Sequence, residues 1–435
     1  MHPGRKGRVL LLLVGGALLA LNLVGLHFQT KDNFSWFVGV ALAQGILYLV
    51  AVWIVLQERF GNGHLALILS FAAVLRLSLL FAPPYLSTDI YRYIWDGRVQ
   101  SAGINPYRYV PDSEALAGLR DEVIYPSINR ADYAPTIYPP VAEAILFGIT
   151  RVSESVTWMK LAMIAFEGVA VWMLVKLLVL FELPTDRVLI YAWNPLVLWE
   201  FSGSGHLDAI AIAFLAAALW ARKRDVAVLV GVTLACATLV KVYPILIFPA
   251  LYRRWDWKMP AAFAGTVVLA YAPYLSVGWG VLGFLPGYLR EEGFQSGDRF
   301  YLVNVVRAAL GEADLDVSRY VSLLAVVPIA LGLYVLFRKT TSESSFLQGA
   351  TLMGVAFCAV LSPQYPWYFA WVLPLLCFVP FWPMLVVTVC SFLIYGPSFG
   401  EAPEMIFAVN TLIYVPFALL SIYYWIATHK LQPAG

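Results

Sequence analysis

The chain reads as long apolar runs separated by short polar interruptions, with one extended exception. Near-continuous hydrophobic stretches occupy about 8–27, 37–56, 65–82, 156–181, 187–201 and 208–221. They resume at about 260–279, 319–337, 346–361, 367–381, 383–397 and 405–427. About 20 apolar residues suffice for one helical crossing of a bilayer, so each run predicts a membrane helix. The stretch 226–251 carries basic residues at both ends, and a single crossing would leave one basic group on the wrong side. A hairpin of two short helices is expected there, breaking near Lys241 to Pro244. A transmembrane barrel would show short alternating segments, which these unbroken runs exclude. The pattern predicts an all-α polytopic membrane protein, one domain over 1–435, with about 12–14 transmembrane helices.

Composition narrows this further. Hydrophobic residues make up 61% of the chain and charged residues 13%, with a mean hydropathy of +0.75, far from a soluble globular protein. The net charge of +2 is too balanced for a nucleic-acid partner. The four cysteines lie in apolar runs without the paired spacing of a disulfide frame or zinc site. The five histidines are scattered, so neither metal nor other cofactor is expected.

Basic clusters set the orientation, because short cytoplasmic loops carry excess Lys and Arg. Such clusters occur at Arg5 to Arg8, Arg222 to Arg224, Arg253 with Arg254 and Lys258, and Arg338 with Lys339. The first apolar run follows the first cluster without a small-residue cleavage site, as in a retained signal anchor. Both termini are then cytoplasmic, and three crossings place 83–155 on the external face. The same threading makes 280–318 a second external loop and puts Ser202 to Asp208 and Ser362 to Trp367 outside. No clean internal repeat is visible, unlike many transporter folds.

The loop 83–155 carries the most informative segment, Ser87-Thr-Asp-Ile-Tyr-Arg-Tyr-Ile-Trp-Asp-Gly-Arg98. Ser87 or Thr88 can cap a helix that Gly103 and Asn105-Pro106 then stop. Asp89, Arg92, Tyr93 and Asp96 fall at i, i+3, i+4 and i+7, on one face. Asp89 in the first turn suits an ionised carboxylate, favoured there by roughly 0.3–1 kcal/mol. Two readings stand: a helix cap with Asp96 paired to Arg92, or a general base beside the membrane.

Asp89-Ile-Tyr-Arg-Tyr-Ile-Trp-Asp-Gly-Arg98 followed by Gly103-Ile-Asn-Pro-Tyr107 resembles the first-loop signature of polyprenyl-phosphate-dependent glycosyltransferases of the GT-C superfamily. It is most similar to the bacterial and archaeal mannosyltransferases of the glycosyltransferase 87 type. Further matches are Tyr138-Pro-Pro140, Trp193-Asn-Pro195, Gly205-His-Leu-Asp208, Leu239-Val-Lys-Val-Tyr-Pro244 and Ser362-Pro-Gln-Tyr-Pro-Trp-Tyr368, covering about 75 to 380. Two extra spans precede the one that feeds the loop, so span numbers do not transfer. The resemblance implies a GT-C-like bundle, Asp89 as catalytic base, and mannose as the sugar.

The remaining candidates follow from residue type. His206 and Asp208 either cap a helix or bind polar substrate, and Lys241 interrupts an apolar stretch, as a phosphate-holding lysine would. Arg92, Arg98, Arg290 and Arg299 offer guanidinium groups, with at least two expected to pair with Glu291, Glu292 or Asp298. Tyr93, Asp96, Tyr107 and Tyr243 complete the polar candidates, while Gln364, Tyr365, Trp367 and Tyr368 form either an interfacial belt or a sugar platform. Glu167 and Lys176 are expected to face the interior without chemistry.

Nucleotide sugars are made in the cytoplasm, so an external site requires a lipid-carried donor. The expected reaction moves a sugar from a polyprenyl phosphate to a hydroxyl of a glycan, glycolipid or polyprenyl-linked acceptor, with inversion. The competing class is a transporter or lipid flippase that couples ions through Asp89, Asp96 and Lys241, although such models place essential carboxylates within the spans.

Overall fold

Long apolar runs fold as helices, and several breaks in the helical path coincide with Pro or Gly, as at Pro195 and Gly205. The computed structural model describes residues 3–57, 63–294, 296–297, 299–310, 317–338, 342, 344–398 and 405–430. Among them the secondary structure is helical and no strand occurs. Five helices are long and apolar enough to cross a bilayer: Gly4–His27, Phe34–Leu56, Val156–Leu180, Lys258–Glu291 and Met405–Ala427. Seven shorter apolar helices accompany them, including Leu65–Leu80, Ser345–Leu361 and Trp382–Ile394. A polytopic all-α membrane protein accounts for this pattern.

The expected straight span 187–201 is instead a broken path. A 3₁₀ turn at Thr185–Val188 leads into short helices Leu189–Ala192 and Pro195–Val197, then a π-helical turn at Leu198–Gly203. Pro195 cannot continue the preceding helix, and Asn194 restarts it by accepting from the Leu196 N–H. Freed backbone groups in this buried stretch must find partners. Arg76 donates to the Ala192 carbonyl at 2.9 Å and pairs with Glu167 at 2.7 Å, while Ser202 donates to Glu167. Tyr48 donates to the Ile190 carbonyl, and Trp193 to that of Ile68. Glu167 faces the interior as expected, whereas Lys176 is exposed: its place near the end of Val156–Leu180 lets the side chain reach outward.

The expected break in 226–251 is present. Ala227–Thr238 ends before Lys241, and a 3₁₀ turn Tyr243–Ile247 follows.

Close approaches lock the polar segment against the bundle. Helix Asp89–Ser101 packs on helix Pro140–Thr150 at Gly97, where a Cβ would lie 2.6 Å from the Thr150 methyl and 2.9 Å from the Leu146 carbonyl. Gly205, at φ +78°, lets the turn after the π-helix approach helix Asp89–Ser101; a Cβ there would meet Ile90 at 2.4 Å. Lys160, buried, donates to the Leu79 and Ala82 carbonyls at 2.7 Å each, fixing the carbonyl end of helix Leu65–Leu80 just before the chain turns toward Asp89.

Candidate active site

The helix that begins at Asp89 starts where the sequence indicates. Thr88 occupies the cap position, but it is the Ser87 hydroxyl that accepts the Asp89 N–H, at 3.1 Å. The Asp89 carboxylate is therefore free of the capping role and turns elsewhere. Its Oδ1 accepts a 2.7 Å hydrogen bond from Asn129, and its Oδ2 lies 3.9 Å from His206 Nε2. Gly103, at φ +77°, ends the helix with its N–H on the Gln100 carbonyl.

Asp89 opens into a cleft of about 450 Å³. That volume falls within the roughly 300–1,000 Å³ typical of small-molecule sites. Arg92, Lys241, Tyr243 and Trp367 also line it, as do Asn129, Arg130, Tyr138, Tyr288, Glu292, Arg299 and Tyr368. The cleft therefore gathers residues far apart in the chain, from Asp89 and Arg92 through Asn129 to Tyr138, Lys241 and Tyr243, Tyr288 and Arg299, to Trp367 and Tyr368.

Lys241 is held from below. Its Nζ lies 3.3 Å from Asp208 Oδ2, and the ammonium sits 5.9 Å from the Tyr138 ring and 5.5 Å from the Tyr368 ring. Tyr243 donates to the other Asp208 oxygen at 2.6 Å. Asp208 is fully buried and does not itself line the cleft; it anchors two residues that do. An ammonium has three donors, so Lys241 keeps capacity for an anion in the cleft.

His206 is likewise buried behind the wall. Its ring lies against Trp367 at a 34° tilt with centroids 4.2 Å apart, and Trp367 stacks on Tyr365 at 4.6 Å. Tyr368 shares a 2.8 Å hydroxyl contact with Tyr288 across the cleft. Trp367 is buried, Tyr365 and Tyr368 are half-buried, and Gln364 lies outside the cleft lining.

Several expected site residues prove to be supports. Asp96 is buried and pairs with Arg92 at 2.8 Å, so it faces away from the opening. Arg92 reaches the wall but is held by Asp96 and by the Ala134 carbonyl. Glu143 receives hydrogen bonds from Thr136 and Gln100 beside this pair. Burial pushes the Asp96 and Glu143 carboxyls up, and for Glu143 the neighbouring Asp96 adds to the rise. Arg98 does not face the cleft: it pairs with Asp121 at 2.7 Å and Glu154 at 2.8 Å and donates to the Leu119 carbonyl. Tyr107 donates to the Tyr138 carbonyl, and Tyr93 packs edge-on against the Tyr138 ring. Both shape the wall without lining it.

Four contributors have no counterpart in the sequence expectations: Asn129, Arg130, Tyr288 and Glu200. Arg130 pairs with Glu291 at 2.7 Å, its guanidinium over the Tyr288 ring. At least two of the four arginines are expected on Glu291, Glu292 or Asp298; among the described residues Arg299 pairs with Glu292 at 2.7 Å, Glu291 is taken by Arg130, Arg92 and Arg98 pair elsewhere, and Arg290 is exposed and outside the cleft lining. Asp298 lies outside the described residues. Among the described residues no group of three or more His, Cys, Asp or Glu side chains is arranged to hold a metal ion.

The comparisons with known proteins concern this same stretch. Residues 9–256 match a family model described as alpha-(1->6)-mannopyranosyltransferase, N-terminal domain. Over 365 residues the chain is 24% identical to alpha-(1->6)-mannopyranosyltransferase A of Mycobacterium tuberculosis, covering 76% of this chain and 69% of that protein. Over 472 aligned positions it is 24% identical to alpha-(1->6)-mannopyranosyltransferase A of Corynebacterium glutamicum, covering 95% and 92%. The family match spans more than half of the chain and contains Asp89, His206, Asp208 and Lys241, so the chain belongs to the alpha-(1->6)-mannopyranosyltransferase family and is a membrane glycosyltransferase.

Proposed function

We propose that the protein transfers mannose from a polyprenyl-phosphate donor to a hydroxyl of a glycan, glycolipid or polyprenyl-linked acceptor. The transfer takes place on the external face, inverts the anomeric centre and needs no metal. One observation carries the reading: among the described residues the cleft is lined by two carboxylates, Asp89 and Glu292, and Glu292 is committed to Arg299. Asp89 is then the proton acceptor within reach of a bound substrate. The acceptor oxygen gives its proton to Asp89 and bonds to C1, while the bond from C1 to the phosphate oxygen breaks and its electron pair leaves with the phosphate.

The growing charge on that leaving group calls for fixed cations. Lys241 and Arg299 stand in the same wall. Beside Arg299 the cleft meets an apolar cavity of about 210 Å³, and Leu246, Phe294, Phe357 and Leu361 line both. A polar chamber opening into an apolar one suits a lipid phosphate, with the isoprenoid chain in the second. The family name of the relatives supports mannose, and it sets the transporter and flippase reading aside.

The decisive experiment supplies purified protein in lipid nanodiscs with mannosyl, glucosyl and arabinosyl polyprenyl phosphates in parallel, and with a nucleotide-activated mannose. Turnover from the mannosyl lipid is expected. Efficient transfer from the nucleotide sugar, with none from any lipid donor, refutes the reading.

A further inference from the structure

We propose that Glu200 is a positioning residue for glycosyl transfer, acting through His206 on Asp89. Glu200 lies in the π-helical turn Leu198–Gly203 with no exposure, between the buried Trp199 and Phe201 in sequence. Tyr395 donates its hydroxyl to one carboxylate oxygen. The other oxygen has no hydrogen bond and lies 2.9 Å from His206 Nδ1. The His206 N–H donates to the Glu200 carbonyl at 3.0 Å, which folds the turn back so that the imidazole meets the carboxylate. Gly205 makes that fold-back possible, since its φ of +78° is one that side chains with a Cβ resist.

A buried acid and a buried imidazole can exist simply to satisfy each other. Two features point past that. Burying a carboxylate costs several kcal/mol, and an apolar side chain would fill the same volume without that cost. More specifically, His206 Nε2 has no hydrogen bond and lies 3.9 Å from Oδ2 of Asp89, which lines the cleft. Trp367 covers the ring face at 4.2 Å and prevents it from turning aside.

The chemistry follows from the two ring nitrogens being distinct. A carboxylate facing one nitrogen determines where that nitrogen's proton sits and therefore what the other presents. Facing a carboxylate at each nitrogen, the ring can donate toward both only with a hydrogen on Nδ1 and on Nε2; in that form Glu200 sets the ring so that Nε2–H addresses Asp89, and Asn129 holds the opposite oxygen at 2.7 Å. Gripped from both sides, the Asp89 carboxylate keeps one orientation toward the acceptor hydroxyl. The gap of 3.9 Å is that of an empty cleft, and catalytic contacts commonly tighten when substrates bind.

This inference rests on Asp89 being the base, and the test separates the two. Glu200→Gln keeps size and an acceptor for Tyr395 while removing the charge. Loss of an orienting partner typically costs about 10–100-fold, so kcat should fall by that much with donor KM and melting temperature unchanged. His206→Gly should lose activity that added imidazole restores, and the restoration should vanish in the double variant Glu200→Gln/His206→Gly. Wild-type kcat in Glu200→Gln overturns the proposal, as does imidazole rescue that is equal with and without Glu200. Should Glu200→Gln fail to fold, His206→Gln removes the ring through which Glu200 acts, and wild-type kcat there overturns the proposal equally. An active Asp89→Asn would instead remove the base assignment on which the proposal stands.

Discussion

Replacing Asp89 by Asn removes a proton acceptor from the cleft while sparing almost everything that holds it in place. The Ser87 hydroxyl, not the Asp89 carboxylate, takes up the first N–H of the helix, so the first turn survives. The amide oxygen can still accept from Asn129, and only the charge-assisted part of that hydrogen bond is lost. That loss is about 1 kcal/mol, and the favourable interaction with the helix dipole adds roughly 0.3–1 kcal/mol. General-base catalysis is worth about 10²–10⁴-fold, or roughly 2.7–5.4 kcal/mol at about 1.36 per decade. The kinetic effect therefore exceeds the structural one. Turnover of a mannosyl polyprenyl phosphate should fall at least about a hundredfold in single-turnover assays, with donor binding and protein yield little changed. Asp96→Asn gives the contrast, because it leaves the buried Arg92 without its counter-charge. Removing one member of such a pair costs about 3–5 kcal/mol, so yield and melting temperature should fall while the folded fraction turns over. An active Asp89→Asn beside a folded but dead Asp96→Asn would move the base to Asp96; two active variants would refute general-base catalysis here altogether.

Three further outcomes are expected. Lys241→Met combined with Asp208→Asn, which avoids stranding a buried carboxylate, should raise donor KM about tenfold or more, the scale of one charged hydrogen bond; unchanged KM would remove Lys241 from the phosphate site. Arg98→Ala should lower the melting temperature and leave donor KM unchanged, since its partners are Asp121 and Glu154. Burial raises the Asp121 carboxyl, but hydrogen bonds from Arg98 and two backbone N–H groups prevail and bring it down to about 2. A depressed acid contributes stability above its ordinary value, lost as pH falls through the folded one, so wild type should resist acid down toward pH 2 further than Arg98→Ala does in melts across that range. Cysteines at Ser113 and Ser342 should differ toward an impermeant thiol reagent in intact cells, with 113 labelled; labelling of 342 alone would invert the threading.

How legible the site was depended on the range of the interactions involved. Helix Asp89–Ser101 was readable because its signals are local: a hydroxyl before it, a glycine after it, and Arg92 one turn from Asp96. The break at Lys241 was readable too, because an ammonium and a proline in an apolar run have few alternatives. Periodicity could not separate the residues of one helix face by task. Asp89 and Arg92 reach the cleft while Asp96 and Tyr93 are walled off, and that division depends on Ala134 and Tyr138, some forty residues away. Asn129 was invisible for the same reason, because it reaches Asp89 only once the loop has closed. Glu200 did carry a signal, an acid inside an apolar run, but reading 187–201 as an ordinary span concealed it.

That broken span also explains why a polar site can exist inside so apolar a chain. An unbroken helix satisfies its own backbone and presents only side chains, so in a membrane it has little reason to hold charge. Each interruption here delivers something polar to one place. The π-turn and Gly205 bring Glu200 and His206 behind Asp89; the stop after Thr238 frees Lys241; the left-handed Ser362, at φ +46°, ends helix Ser345–Leu361 and turns the chain toward Trp367 and Tyr368. The cost of interrupting the helices is met locally, by Arg76 on the Ala192 carbonyl, by Asn194 on the Leu196 N–H, and by Lys160 on the Leu79 and Ala82 carbonyls. Cation, acid and aromatic platform thus reach the cleft from breaks far apart in sequence. A substitution that mends one break, such as Gly205→Ala, should therefore damage the site by forcing Ile90 away from its place beside Asp89 rather than by touching any substrate.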